Sequence, residues 1–341
     1  MEYYRMTQII KWLISCLIVF SYGSFAATVD QGVAVFNQKK YKEAEAVFEP
    51  LANQGDARAM FWLGVSQFKT GEQFKAASTL LQAAEAGNPW AMHLMVPSYN
   101  GYCDYLGWPC DEDWMDKAIA EWKKRADQGD GKAMYALLRW GDKPWWAYVP
   151  ILKQKKYGEL VEKAVKAGGY NAASYNMYIP IDMKKSVELL MYEADQGYAP
   201  AMIDLYYIND AGKINVDGTF ELAKQALALG YSGGASALYY YYKDRLSDVE
   251  TESDIASLSG EVKEYYKLAY YHSLVGKYFG GRERSFLINK RILNDKGEEV
   301  YMNVLSENEM REVESKVKAF TKDLSVNMFL DDSTVGEMVA R

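Results

Sequence analysis

The side chains of this sequence that could do chemistry are few, and they are scattered. Outside the first 26 residues the chain has two histidines, His93 and His272, far apart in sequence. No paired-histidine metal motif, nucleophile elbow or phosphate-binding glycine loop accompanies them. Asp111–Asp113 offers three adjacent carboxylates for a cation, but a charge cluster favoured at a helix start is the better interpretation. We therefore expect structural histidines, no enzyme activity, no cofactor and no metal site.

Residues 1–26 have the layout of a cleavable signal peptide. Arg5 and Lys11 precede the short apolar run Trp12–Phe20, and Ser24 and Ala26 supply the small residues of a cleavage site. An uncleaved anchor is the alternative, but the apolar run is shorter than the roughly 20 residues that cross a bilayer. The sequence predicts a periplasmic or secreted protein, with no membrane insertion after cleavage.

Removing that segment leaves Cys103 and Cys110, which bracket a turn-rich loop. In an oxidising compartment two such cysteines favour a disulfide. Free thiols and a metal site are weaker alternatives, since no histidine lies nearby.

The charge balance argues against nucleic acid as a partner. The chain carries 39 Lys and Arg against 46 Asp and Glu, a formal net charge of −7. A nucleic-acid-binding chain would show a clustered basic footprint. The short basic stretch Lys153–Lys156 is expected to be a solvated face.

Aromatic residues are the most informative candidates for binding. Trp62, Trp90 and Trp122 recur at equivalent positions and are expected to lie in the core. Others fall in long inserts or in a run of four tyrosines, which cannot all point inward on one helix. Because Trp and Tyr dominate interface hot spots, the predicted partner-binding residues are Trp108, Trp114, Trp140, Trp145, Trp146, Tyr240 and Tyr241.

A recurring stretch must position these side chains. The pattern Ala-x-x-Gly-x-x-x-Ala-Met recurs along the chain, where x is any residue. The glycines of its strong and weak copies stand at 55, 87, 129, 169, 197 and 230, at steps of 28 to 42 residues. Glycine ends one helix in a conformation that other residues avoid. Such a period predicts stacked helical hairpins, and therefore an all-α fold.

The copies at Pro50–Gly55 and Ala126–Gly129, with Leu63-Gly64, Lys75-Ala76 and Lys117–Trp122, resemble the Sel-1-like repeat family, which is related to tetratricopeptide repeats. The resemblance covers roughly residues 31–244. It implies a right-handed α-solenoid of antiparallel helix pairs that works as an adaptor for another protein. The cysteine-rich members bridge every repeat, and this chain does not.

The expected organisation has four parts. Residues 27–245 form a solenoid of about six units, with long inserts near 96–113 and 141–156. A divergent repeat and capping helices follow over 246–330, and 331–341 form a loose tail. Within this region, 281–305 fits either two strands or a broken helix.

The sequence thus predicts a non-catalytic scaffold that binds an unidentified protein. One alternative is a periplasmic immunity protein that neutralises a secreted effector such as a phospholipase. A second, disfavoured by the missing repeat disulfides and scarce histidines, is a hydrolase acting on the cell wall or on β-lactams.

Overall fold

The computed structural model describes residues 27–175, 182–213, 215–282 and 284–340, and most of them are helical. The proposed signal peptide lies outside the described residues. Within these ranges no helix combines the length and the apolar character needed to span a bilayer. The predicted all-α fold of stacked helix pairs is confirmed, with a two-stranded hairpin added near the C-terminus.

Consecutive helices of the first half pack on one another. They are α1 Val29–Asn37, α2 Tyr41–Asn53, α3 Ala57–Lys69, α4 Gln73–Glu85, α5 Pro89–Leu94, α6 Tyr102–Tyr105, α7 Asp113–Asp127, α8 Gly131–Trp140 and, after a 3-10 turn at Trp145–Tyr148, α9 Pro150–Lys166.

The second half continues the same stacking and ends in capping elements. They are α10 Asn171–Tyr175, α11 Met183–Asp195, α12 Ala199–Asp210, α13 Thr219–Ala228, α14 Ser232–Lys243, α15 Glu252–Ser257, α16 Gly260–Tyr278, a 3-10 turn at Ser285–Leu287, strands β1 Asn289–Leu293 and β2 Glu299–Asn303, α17 Glu307–Thr321 and α18 Glu337–Ala340.

The repeat turns combine a left-handed glycine with a helix cap. Gly55 has φ 91°, and the carboxylate of Asp56 then accepts hydrogen bonds from the N–H groups of Arg58 and Ala59, both at 2.9 Å. Asn88 and Asp130 cap α5 and α8 in the same way. At these three turns the polar residue after the glycine therefore satisfies N–H groups that the next helix leaves without a partner.

One repeat glycine was assigned to the wrong position. The left-handed residue of that turn is Gly168, with φ 87°, rather than Gly169. Gly169 is needed for packing, because a Cβ there would lie 2.2 Å from the carbonyl oxygen of Gly131. The start of α8 and the turn after α9 therefore approach each other backbone to backbone.

The region that fitted either strands or a broken helix is an antiparallel hairpin, with Asn289 opposite Asn303 and Leu293 opposite Glu299. The side-chain oxygen of Asn294 accepts hydrogen bonds from the N–H groups of Lys296 and Glu298, at 3.0 and 2.9 Å. This local bonding favours a tight turn over a continued helix.

Large aromatic side chains hold the first repeats together. Trp62 and Trp122 have no exposed surface and Trp90 is 5% exposed, so the expected core role of all three is confirmed. Phe36, Phe48 and Phe61 surround Trp62, with ring centroids 5.1 to 6.1 Å away. Aromatic clusters of this kind bury large apolar areas and fix the helix crossing.

The stack of helices curves far enough for its two ends to meet. The ammonium of Lys39, just after α1, donates a hydrogen bond to the carbonyl oxygen of Phe279, just after α16, at 2.6 Å. The surface formed by Asn37, Arg58, Trp62 and Lys132 is called the inner face below.

We expected a loose tail over 331–341, but the structure buries the described part of it against the inner face. Val335 and Val339 have no exposed surface and Asp332 is 3% exposed. The indole N–H of Trp62 donates to the Asp332 carboxylate at 2.7 Å. Buried charge pairing and apolar packing therefore anchor this segment, although it shows no helical periodicity that would predict a core position.

Candidate interaction surface

Three large side chains, spaced three residues apart, stand exposed where the second long insert enters α9. Trp145 is 73% exposed, Tyr148 75% and Ile151 84%. Folded chains scatter single apolar residues over their surfaces, but a contiguous exposed group marks an interaction site. We name Trp145, Tyr148 and Ile151 the exposed trio.

Local sequence explains why the trio is displayed. Pro144 precedes the 3-10 turn and Pro150 occupies the first turn of α9, where its missing N–H costs nothing. Between them Ala147 is buried, so it fixes the turn to the core. The side chains of Trp145 and Tyr148 then extend away from that anchor.

An apolar groove lies beside the trio, between α7, α8 and α9. Its cavity volume is about 340 Å³, within the range typical of ligand pockets. Trp146 forms one wall, where its ring packs edge-on against Tyr157 at 5.0 Å between centroids. The apolar part of the lining also includes Met134, Leu137, Leu138 and Leu160.

Charges at the groove are mostly positive although the chain is acidic. Lys143 and Lys163 line it together with Lys123, whose ammonium lies 3.1 Å from the Asp142 carboxylate. This local excess of cations would attract carboxylates from a partner.

Trp108 is not available to a partner, which corrects its assignment as a binding residue. Its side chain is 5% exposed. It packs against Phe68 at 6.0 Å and Tyr102 at 6.1 Å between ring centroids. The Cys103–Cys110 disulfide, which forms as predicted, closes the loop and folds this indole inward.

Trp140 and Trp114 are both partly buried. The Trp140 ring lies 4.2 Å from His93 and stacks on Trp122 at 5.6 Å. The Arg139 guanidinium lies over Trp140 at 4.6 Å, and the Lys117 ammonium over Trp114 at 4.2 Å. These contacts hold both indoles in intramolecular packing.

The tyrosine run divides as helical geometry requires. Tyr239 is buried, whereas Tyr240 is 41% exposed, beneath Arg284 at 5.1 Å. Tyr241 packs on Phe220 at 4.3 Å and lies 3.5 Å from the Arg245 guanidinium. The structure places these tyrosines on α14, in a different repeat from the exposed trio.

Both histidines are buried among aromatic rings. Burial first, and then the positive charge of Arg139, lower the pKa of His93 to about 3. Burial and then Lys224 likewise lower the pKa of His272 to about 3. Each imidazole is therefore neutral at physiological pH and enclosed. Over the described ranges, histidine, cysteine and carboxylate side chains form no group of three or more that could hold a metal ion.

Sequence reasoning missed Tyr148 and Ile151. Both follow Trp145 and Trp146 within six residues, and Pro150 lies among them. A proline that starts a helix directly after an aromatic run is a usable signal, because the residue before a proline disfavours the helical conformation and so interrupts the helix there.

Comparison with known proteins gives little further guidance. No family model matches the chain, and no curated protein matches it. The chain matches the solved structure of a protective antigen that is present in uropathogenic Escherichia coli strains and displays an SLR fold. The sequence identity is 14% and the TM-score is 0.34, and the match covers 88% of this chain and 70% of that chain. A likeness at this TM-score carries no argument, so the family indicated by the repeats stays a prediction.

Proposed function

We propose that this chain is a protein-interaction scaffold that binds its partner at the groove between α7, α8 and α9, with the exposed trio as the anchor. The observation that carries the proposal is the exposure of Trp145, Tyr148 and Ile151, between 73 and 84%, beside an apolar groove. Hot spots of protein interfaces are rich in Trp and Tyr and lie next to apolar pockets. The scaffold needs no catalytic step.

The chemistry of the groove points to one kind of partner. An apolar side chain of the partner would fill the space among Leu137, Leu160 and Trp146. Flanking carboxylates would meet Lys143 and Lys163 at the rim. The partner segment we propose is therefore an apolar anchor between acidic residues.

Substituting Trp145 by alanine should weaken partner binding by about 10- to 100-fold, because the loss of one hot-spot side chain costs about 2 kcal/mol or more. The partner would be purified with the chain from its source cells and titrated by calorimetry. Phe74→Ala is the matched control, since Phe74 is 74% exposed but lies on α4. Unchanged affinity in Trp145→Ala, or an equal loss in Phe74→Ala, would contradict the proposed site.

We further propose that the chain acts in an oxidising compartment after export by residues 1–26. The support is the Cys103–Cys110 disulfide, since disulfides persist mainly outside the cytosol.

Replacing both cysteines by serine should lower the free energy of unfolding by about 2–3 kcal/mol, the value expected for a loop this short. Urea denaturation of the oxidised chain and the double variant measures it. Thiol titration of the protein isolated from its native compartment should find no free thiol at either position; two free thiols would refute the proposed location.

A further inference from the structure

We propose that the C-terminal segment, Ser325–Ala340, is a tethered peptide ligand, and that the inner face is a binding site for a peptide in which apolar residues precede an aspartate. This inference is independent of the outer groove and its partner. It follows from three kinds of contact, each typical of peptide recognition.

The first kind is main-chain recognition by one amide side chain. Asn37 donates a hydrogen bond to the carbonyl oxygen of Leu330 at 2.9 Å and accepts one from the N–H of Leu330 at 2.7 Å. Two further main-chain bonds run from Met328 to the Asn37 carbonyl oxygen, at 3.1 Å, and from Asn327 to that of Gly230, at 2.9 Å. None of these bonds depends on a side chain of the segment, so they would hold any chain that adopts this backbone, with its left-handed residue at Phe329 (φ 56°).

The second kind is a pocket for one carboxylate. Asp332 accepts hydrogen bonds from the Trp62 indole N–H at 2.7 Å, the Arg58 guanidinium at 2.8 Å and the Lys132 ammonium at 2.9 Å. The donors come from α3 and α8, and the carboxylate is 3% exposed. Three donors, two of them charged, on one buried carboxylate define an acidic subsite.

The third kind is apolar selection on both sides of that carboxylate. Before it, the Phe329 ring packs edge-on against Tyr198 at 6.0 Å and Tyr231 at 5.8 Å. After it, Val335 and Val339 join the first apolar core. A peptide that competes for the site must supply comparable apolar side chains at these positions.

Two features argue that the segment is separable from the fold it occupies. It joins α17 through Lys322 and Asp323, which are both exposed, and it has no regular secondary structure from Leu324 to Asp331. An open groove of about 560 Å³ also runs beside it, lined by Asp30, Tyr170 and Leu229 among others.

The test uses the full chain with a protease recognition sequence inserted between Lys322 and Asp323. After folding and cleavage, the released segment should stay bound on size-exclusion chromatography. A fluorescent synthetic peptide of residues 324–341 should then exchange with it, giving saturable binding by anisotropy. The same peptide with Asp332→Ala should bind at least 100-fold more weakly, because it loses the buried carboxylate that accepts hydrogen bonds from Trp62, Arg58 and Lys132. The Ser325→Ala peptide is the control and should bind as the unsubstituted peptide does.

Each other outcome overturns the proposal. If the cleaved chain unfolds before the segment exchanges, as circular dichroism would show, the segment is part of the core. If the segment leaves and the remaining chain stays folded without binding the peptide, the inner face is no peptide site. If the Asp332→Ala peptide binds as tightly as the unsubstituted peptide, the inner face has no subsite for a carboxylate.

Discussion

Replacing Asp332 by alanine is expected to lower the free energy of unfolding by about 3–5 kcal/mol at pH 7, the usual cost of removing one partner from a buried ion pair. The substitution leaves Arg58, Lys132 and the indole N–H of Trp62 without the carboxylate that they contact. Urea denaturation monitored by tryptophan fluorescence measures the change. A loss below 1 kcal/mol would show that the C-terminal segment contributes little to the fold.

The same carboxylate makes this effect dependent on pH. Although burial opposes ionisation, Lys132 and Arg58 hold the pKa of Asp332 down at about 2, below its ordinary value of 3.8. A carboxylate with a lowered pKa stabilises the folded state above its unfolded pKa and loses that contribution as the pH falls through its folded pKa. The difference between the parent and Asp332→Ala should therefore shrink from about pH 4 to pH 2. Asp323→Ala, an exposed position in the adjoining linker, should match the parent throughout.

Whereas Asp332→Ala should lower the free energy of unfolding, Glu193→Gln should raise it at alkaline pH. Glu193 lies on α11 with no exposed surface. Burial, and then the nearby charge of Asp204 on α12, raises its pKa from 4.5 to about 9. The folded state therefore holds a proton that the unfolded chain releases, and stability falls as the pH rises from about 4.5 to 9. At pH 8 the Glu193→Gln variant should exceed the parent by up to about 4 kcal/mol.

The control for this prediction lies on the same helix. Glu188 is 53% exposed and sits 3.6 Å from the Lys185 ammonium, so Glu188→Gln should leave the pH dependence of stability unchanged. Denaturant midpoints measured from pH 5 to pH 9 distinguish the variants. If Glu193→Gln keeps the parent's decline in stability with pH, then Glu193 is not the group that carries the proton.

The repeat architecture could be predicted because its determinants are local. The glycine spacing places a helix reversal at each turn, and short-range bonds fix helix starts, as Asp182 does for α11. The start of α17 is equally local, since Ser306 and Glu309 bond reciprocally as a capping box. Such features involve residues within four positions of each other, so a sequence pattern is enough to reveal them.

The features that escaped prediction depend on long-range contacts. Asp332 meets Trp62 across 270 positions of sequence and Lys132 across 200. No periodicity marks the C-terminal segment as buried, because residues 324–336 have no helix or strand and α18 has only four residues. Trp108 was misassigned for a related reason, since its burial depends on how the disulfide loop folds onto Phe68.

The most direct test of the scaffold function is a hydrogen–deuterium exchange footprint of the chain with and without its co-purified partner. We predict added protection confined to residues 141–163 and the facing turns of α7 and α8, with none at the inner face. Protection that instead covers the inner face, or exchange unaltered by a bound partner at the exposed trio, would contradict the assignment of the outer groove as the binding site.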